Sequence, residues 1–253
     1  MPIALVTATG MEMRHALAGL PASPGAPEPA IPERGMAQAR LAGRDVLLVV
    51  TGVGPVNAAL GIGLALGARH DISGLVNLGV AGSFDALAAP LGRPAVATGE
   101  VWPEYGLADD AGWVDARGIG FPQLDAPPGA PAEGGESGQP GGPVWDRIAL
   151  EPDRAAEAMG LRLPPAWTRG VSLTVAGVTG TPGRAGLMRQ RTQALTENME
   201  GFPLALACRV RGLPFLEIRT VSNPVGERDR SLWRMREALT GLGEVLATLV
   251  KAF

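Results

Sequence analysis

The sequence contains few of the residues from which disulfides and metal sites are built. Among its 253 residues it has one cysteine, Cys208, and two histidines, His15 and His70. A single cysteine cannot form a disulfide within the chain, and the two histidines match no metal-ligand spacing. Because Cys208 lies in the apolar run PLALACRV, we interpret it as a core residue rather than a nucleophile. We therefore expect the protein to bind no metal.

The sequence also lacks an excess of basic residues and any long apolar run. Its formal net charge is −3, so nothing favours binding to the phosphate backbone of a nucleic acid. No apolar run approaches the ~20 residues that span a membrane. The segment MPIALVTATGMEM has no basic region and only a short apolar run, which predicts a first strand rather than a signal peptide. We therefore expect a cytoplasmic protein that binds neither nucleic acid nor membrane.

Short apolar runs alternate along the chain with helical patterns, which predicts an α/β fold. The runs are continuous, as in strands that are covered on both faces of a mostly parallel or mixed sheet. The predicted strands are 3–7, 45–51, 74–78, 95–99, 171–176 and 215–221. The predicted helices are 11–20, 55–67, 183–195, 199–212 and 231–253.

Two segments have a composition unlike that of a core. Residues 21–35 hold five prolines and are predicted to link a helix to an extended strand. Residues 123–143 are rich in Pro, Gly, Glu and Ser, which is typical of a mobile surface loop. The sequences on either side of this loop do not look able to fold independently, so we expect a single domain over residues 1–253.

Two glycine loops follow predicted strands. The first, Thr51–Gly61 (TGVGPVNAALG), has Asn57 where a dinucleotide fingerprint has its third glycine, and no acidic residue closes a second strand. A nicotinamide cofactor is therefore not expected, nor is any other cofactor. The loop is either a tight turn or a turn whose backbone approaches a ligand. The second loop, Asn77–Asp85 (NLGVAGSFD), would share a crevice with it at the ends of the strands.

Three segments in this order resemble one known superfamily. They are Ala8–Met13 with Glu12, the pair of glycine loops, and Asn198–Asn223 (NMEGFPLALACRVRGLPFLEIRTVSN). Together they are similar to the nucleoside phosphorylases and nucleosidases, which include methylthioadenosine/S-adenosylhomocysteine nucleosidase. Within that superfamily, Ala176–Pro182 (AGVTGTP) and Ser222–Asp229 (SNPVGERD) are most similar to the futalosine hydrolases.

The resemblance implies a fold and an activity. The fold would be a three-layer α/β sandwich around a mixed, partly closed central sheet, and the protein would be a homo-oligomer. The activity would be hydrolysis of the N-ribosidic bond of futalosine, which releases hypoxanthine in the alternative pathway of menaquinone biosynthesis. The alternatives are a methylthioadenosine/S-adenosylhomocysteine nucleosidase, another purine nucleosidase or phosphorylase, and a non-catalytic binder of purine nucleosides.

The resemblance assigns two residues to the ribose and one to the nucleophile. Glu200 would accept hydrogen bonds from the ribose hydroxyls and favour the positive charge that develops on the sugar, while Met199 packs on the sugar face. Taken without the resemblance, Glu200 is better interpreted as a solvated glutamate at the start of a helix. Glu12 corresponds to the glutamate that activates water in nucleosidases.

The second glycine loop disfavours phosphate as the nucleophile. Where phosphorylases carry Arg and Thr, this sequence has Asn77 or Leu78, and Val80. None of these side chains supplies a cation, and Val80 has no hydroxyl, so a phosphate ion would lack its usual partners. We therefore expect water to be the nucleophile.

Asn223 would select the purine base. A 6-oxopurine presents two acceptors, N7 and O6, to which an asparagine amide can donate, whereas adenine-specific relatives have aspartate here. Asn223 is also a suitable turn residue before Pro224. The remaining residues expected to bind substrate are Gly82, Val178, Thr179 and Phe202, of which Phe202 is equally a plain core aromatic.

Overall fold

The computed structural model describes residues 1–21, 31, 33–109, 112–114, 116–126 and 141–252. Residues 127–140 of the predicted loop at 123–143 lie outside the described residues. The strands are β1 (Ile3–Thr7), β2 (Gly35–Leu41), β3 (Arg44–Val50), β4 (Leu75–Ser83), β5 (Pro94–Val101), β6 (Leu107–Asp109), β7 (Gly112–Val114), β8 (Arg147–Ala149), β9 (Thr168–Thr174), β10 (Ala194–Asn198) and β11 (Phe215–Pro224). The helices are α1 (Gly10–Leu17), α2 (Pro55–Ala68), α3 (Pro152–Ala158), α4 (Pro182–Thr192), α5 (Gly201–Arg211) and α6 (Met235–Leu249).

Nine strands form one mixed sheet that closes partly on itself. Its order is β10-β9-β5-β11-β4-β1-β3-β2, with β8 paired to β5. Strand β10 pairs in parallel with β9 and antiparallel with β4, so β4, β11, β5, β9 and β10 form a ring. Strands β6 and β7 form a separate hairpin. The predicted mixed, partly closed sheet is confirmed.

Helices cover both faces of the sheet. In β1, Ile3 and Leu5 point into a core with α1, α3 and α6, whereas Ala4 and Val6 point into a core with α2 and α5. This alternation explains why the strand is apolar throughout, since each fully buried aliphatic side chain stabilises the fold by about 1.5–3 kcal/mol. The predicted three layers are confirmed. Cys208 is 1% exposed in the second core, as predicted.

Helices α1 and α6 approach each other to backbone contact. A Cβ atom on Gly19 would overlap the backbone of Gly243, and one on Gly243 would lie 2.9 Å from the carbonyl oxygen of His15. Glycine at both positions therefore brings the turn after α1 directly against α6. The C-terminal helix thus supports the helix that carries Glu12.

The structure corrects several predicted boundaries. The helix predicted at 183–195 ends at Thr192, because Gln193 is left-handed with a φ of 57°, and the next residues form β10. The helix predicted at 199–212 begins at Gly201, and the one predicted at 231–253 is α helix only over Met235–Leu249. Strand β2, at the edge of the sheet, was not predicted as a separate strand. Among the described residues, no helix is both long and apolar enough to cross a membrane.

Candidate active site

Glu12 is held rigidly at the start of α1. Its carboxylate Oε2 accepts hydrogen bonds from the backbone N–H and the hydroxyl of Thr9, each 2.9 Å long, and the Glu12 N–H donates back to the same hydroxyl. This is a capping box, which fixes the first turn of a helix. The other oxygen, Oε1, accepts from the N–H of Val80 at 3.1 Å. The second glycine loop therefore contributes a backbone donor, not a side chain, to Glu12.

Glu200 lies between the first glycine loop and β11. Its Oε1 accepts from the N–H of Gly54 at 3.1 Å, and its Oε2 lies 3.3 Å from a guanidinium nitrogen of Arg219. Gly54 has a φ of 97°, which favours glycine and turns its N–H toward this carboxylate. Burial raises the pKa of Glu200, while the charge of Arg219 and the Gly54 hydrogen bond lower it. The outcome is a raised pKa at a buried carboxyl group.

Arg219 lies in the same buried cluster as the two glutamates. Its guanidinium is 2% exposed and donates to Glu217 at 2.8 Å, to Glu200 at 3.3 Å and to the amide oxygen of Asn198 at 3.2 Å. Burial alone would lower the pKa of Arg219, but the charges of Glu217 and Glu200 outweigh it and the pKa is raised. The neighbouring carboxylates therefore favour the charged form of Arg219.

Gly79 leaves the space in which Glu12 and Arg219 meet. A Cβ atom on Gly79 would lie 2.5 Å from Nη1 of Arg219 and 3.0 Å from Oε1 of Glu12. The absence of a side chain at this position of β4 therefore brings Glu12, Arg219 and Glu200 into one cluster. Sequence reasoning named the two glutamates but gave Arg219 no role. The available signal was the pair of charged residues, Glu217 and Arg219, within an apolar strand.

A second pair of buried carboxyl groups, Glu100 and Glu217, lies beneath the start of α5. A Cβ atom on Gly201 would overlap carboxyl oxygens of both residues, so the two groups are neighbours. Glu100 accepts hydrogen bonds from the hydroxyl of Thr174 at 2.6 Å and from the amide of Asn198 at 2.9 Å. Burial and the charge of Glu217 raise the pKa of Glu100 well above its ordinary value. Sequence reasoning missed this pair.

Asn223 lies at the end of β11, next to the second glycine loop. The strand pairs Asn223 with Gly82 of β4, after an irregularity at Ser222. The amide oxygen of Asn223 accepts from the Ser222 hydroxyl at 2.8 Å, and its amide nitrogen donates to the carbonyl of Pro224 at 2.9 Å. Gly82 and Asn223 are both only partly buried, so this end of the strand is accessible.

The segment from Val178 to Thr179 covers the end of β10. Val178 is 48% exposed, whereas Thr179 is 2% exposed and donates its N–H to Glu197 at 3.0 Å. Met199 is partly buried beside Val175 and Leu173. Sequence reasoning did not single out Glu197.

Phe202 occupies the interior of the protein. It is 1% exposed in the core that contains α2 and α5, and its ring lies 5.8 Å from that of Trp102, centroid to centroid. Of the two interpretations of Phe202, this position favours the core aromatic.

Comparisons with known proteins place the chain in a family. The family model of the phosphorylase superfamily matches residues 2–253. A curated futalosine hydrolase from Streptomyces coelicolor is 36% identical over 80% of this chain and 77% of that protein. One from Thermus thermophilus is 33% identical over 83% of each.

Solved structures share the fold. A native futalosine hydrolase from Helicobacter pylori superposes with a TM-score of 0.68 at 16% identity, covering 100% of this chain and 96% of that chain. A 5′-methylthioadenosine/S-adenosylhomocysteine nucleosidase from S. pneumoniae, solved with a transition-state inhibitor, gives 0.69 at 21% identity, covering 98% and 97%. The chain therefore belongs to the phosphorylase superfamily, with futalosine hydrolases among its curated relatives.

Proposed function

We propose that this protein is an N-glycosyl hydrolase that cleaves futalosine to hypoxanthine and the remaining ribosyl product. The observation that carries the proposal is the pair of carboxylates, Glu12 and Glu200, that hydrogen bonds hold in one cluster with Arg219. Cleavage of an N-ribosidic bond needs one group to activate a nucleophile and another to stabilise the cationic sugar. Curated relatives that are 36% and 33% identical are futalosine hydrolases, which selects the substrate.

In the proposed mechanism Glu12 is the general base. Its two oxygens are fixed by Thr9 and Val80, so the carboxylate is oriented before substrate binds. It takes a proton from the attacking water as the water forms a bond to the anomeric carbon. Arg219 is not proposed to bind phosphate as an alternative nucleophile, because its charge is already balanced by Glu217 and Glu200.

Glu200 and Met199 are proposed to hold the ribose. The Glu200 carboxylate accepts from the ribose hydroxyls, and its negative charge stabilises the oxocarbenium-like transition state. Since Glu200 is buried, this interaction is stronger than it would be in water. Met199 supplies an apolar surface beneath the sugar.

The base is proposed to bind near Gly82, between Asn223 and the segment with Val178 and Thr179. The amide of Asn223 donates to N7 or O6 of the departing hypoxanthine and so stabilises its developing negative charge. An asparagine cannot donate a proton outright, so the leaving base is stabilised by hydrogen bonding.

Turnover assays test this proposal. Purified protein in phosphate-free buffer is expected to release hypoxanthine from futalosine and to leave methylthioadenosine almost unchanged. The Glu12→Gln variant should lose about 10²–10⁴-fold in kcat/KM, whereas Glu244→Gln, an exposed change on α6, should behave as wild type.

Other outcomes would redirect the proposal. Cleavage that requires phosphate and yields a sugar phosphate would make the protein a phosphorylase. Preferred cleavage of methylthioadenosine would make it a nucleosidase of that type. Binding of hypoxanthine without turnover of any nucleoside would make it a binding protein.

We propose further that the protein acts in the cytoplasm, in the alternative route to menaquinone, as a homo-oligomer. Support for the oligomer is an exposed apolar stripe on α2, where Val56, Leu60 and Leu64 are 79%, 60% and 61% exposed. These residues are four apart and share one helix face. The same helix begins next to Gly54, which binds Glu200, so a second copy seated on the stripe would adjoin the active site.

A further inference from the structure

The turn between β10 and α5 carries both residues that are proposed to hold the ribose. Strand β10 ends at Asn198 and α5 begins at Gly201, so Met199 and Glu200 form the turn. The first N–H groups of a helix have no partner within the helix. The carboxylate of Glu200 does not cap them. Another side chain must therefore hold the backbone of this turn in place.

The side-chain amide of Asn198 supplies that contact. Its oxygen Oδ1 accepts from the N–H of Glu200 at 2.8 Å and from the N–H of Gly201 at 2.7 Å. The same oxygen accepts from Arg219 at 3.2 Å, and Arg219 also lies 3.3 Å from Oε2 of Glu200. Asn198 is therefore connected to Glu200 by two routes, one through the backbone and one through a guanidinium.

The amide nitrogen of Asn198 fixes the direction of that oxygen. It donates to Oε1 of Glu100 at 2.9 Å and to the hydroxyl of Ser172 at 2.8 Å. Exchanging the oxygen and nitrogen of the amide would set N–H donors against the N–H groups of Glu200 and Gly201, so only one orientation satisfies both ends. Asn198 is 4% exposed, and a buried amide whose donors and acceptor are all bonded is rigid.

We propose that Asn198 is a positioning residue that holds the carboxylate of Glu200 toward the ribose. This inference rests on the proposed function, because it takes from it the role of Glu200. A displacement of about 1 Å in a catalytic group can cost about 10²-fold in rate. Asn198 is suited to prevent such a displacement, because it connects Glu200 at once to the start of α5 and to Arg219 of β11. Glu100 and Ser172 contribute by holding the amide of Asn198.

The N–H of Gly54 reports the position of Glu200 without any substrate. It donates to Oε1 of Glu200 at 3.1 Å, so its resonance in NMR spectra of isotope-labelled protein depends on that carboxylate. The variant Glu200→Ala lacks the carboxylate and defines the resonance of the unbonded N–H. In Asn198→Ala we expect the Gly54 resonance to move at least halfway toward that position. An unmoved resonance would overturn the inference.

Turnover of futalosine tests whether Asn198 acts through Glu200. Alone, Asn198→Ala should lower kcat/KM about 10- to 100-fold. Added to Glu200→Ala, where there is no carboxylate to position, the same change should lower kcat/KM less than about threefold, because residues that act as one unit are not additive. Equal losses in the two backgrounds would overturn the inference, since they would show a structural effect that does not pass through Glu200.

The matched control is Thr192→Ala. It also removes a buried polar side chain that is bonded to two backbone groups, here the carbonyl of Met188 and the N–H of Ala194. Thr192 lies before the opposite end of β10, so this change should lower stability but leave the Gly54 resonance and kcat/KM unchanged.

Two further arrangements keep the test decisive. If Asn198→Ala does not fold, Asn198→Asp replaces it in both measurements, because aspartate has the same shape but lacks the N–H donors that fix the amide. If wild type does not cleave futalosine, the proposed function is overturned, whereas the Gly54 resonance still decides whether Asn198 positions Glu200.

Discussion

Arg219 is surrounded by more negative charge than it can balance. It is ion-paired with Glu200 and Glu217 and adjoins Glu12, while Glu100 lies against Glu217. An unpaired buried carboxylate costs several kcal/mol, so this surplus of negative charge favours the neutral form of a carboxyl group. Burial and the charge of Glu217 raise the pKa of Glu100 well above its ordinary value, so Glu100 is a group at which the neutral form is favoured.

The raised pKa of Glu100 predicts how the stability of the protein changes with pH. Because the pKa of Glu100 in the folded protein lies above its ordinary value of 4.5, the folded state binds this proton more tightly than the unfolded state does. Its contribution to stability is therefore largest below that ordinary value and declines as pH rises through the folded pKa. In Glu100→Gln the amide cannot titrate, so the melting temperature should fall less than that of wild type as the pH rises above the ordinary value of 4.5.

The matched control for this measurement is Glu157→Gln, an exposed change on α3. Thermal melts of all three proteins across the pH range provide the comparison. Parallel curves for wild type and Glu100→Gln would contradict a raised pKa of Glu100.

Replacing Asn223 with aspartate is predicted to change which purine base the protein prefers. In Asn223→Asp a carboxylate would face O6 of hypoxanthine and repel it, whereas it could accept from a 6-amino group. The ratio of kcat/KM for 6-aminopurine over 6-oxopurine nucleosides should rise at least tenfold, since a hydrogen bond to a charged group is worth about 1.5–3 kcal/mol. Asn57→Asp, a change at the start of α2, is the control. An unaltered ratio would mean that Asn223 does not contact the base.

At the scale of the elements, the sequence predicted the general arrangement of strands and helices. It predicted the boundaries between these elements less well. Strands β1 and β3 are largely continuous apolar runs and were predicted, as was β11 despite its two charged residues. The motif at 198–223 named Glu200 and Asn223. Strand β10 was missed because its local pattern continues a helix, and its strand conformation is imposed by pairing with β9 and β4. Glu100 and Glu197 escaped notice because only the closed sheet brings them near Arg219 and Gly82.

Adding one methyl group at the start of α5, in the variant Gly201→Ala, is predicted to reduce stability and activity strongly. In Gly201→Ala the new Cβ would overlap the carboxyl groups of Glu100 and Glu217, so α5 must shift and carry Glu200 with it. Overpacking of this kind costs about 1–3 kcal/mol, and activity should fall with it. Chemical denaturation measures the change in the free energy of unfolding.

Gly186→Ala on α4 is the matched control, because nothing lies within 4 Å of its new Cβ atom. This change should be neutral or stabilise by up to about 1 kcal/mol. If both alanine variants have the same stability, the packing of Gly201 on the carboxyl pair is not tight.

At the scale of the whole molecule, the exposed apolar stripe on α2 predicts that copies of the protein associate with each other. The double change Leu60→Lys and Leu64→Lys places charges on the proposed contact and should convert an oligomer into a monomer, as measured by light scattering after gel filtration. Leu87→Lys, at a residue outside α2 that is 95% exposed, is the control. A monomeric wild type, or an oligomeric double variant, would contradict the proposed contact.

The order of strands in the sheet has a consequence for the protein during its synthesis. Strand β11, the last of the strands along the chain, inserts between β4 and β5 in the middle of the sheet. Until residue 224 has left the ribosome, the strand that lies between β4 and β5 is missing. The helix that carries Glu12 also lacks its contact with α6 until α6 has been synthesised. The nascent chain must therefore hold apolar strand edges exposed for most of its translation, which makes this interval the one in which chaperone binding or aggregation competes with folding.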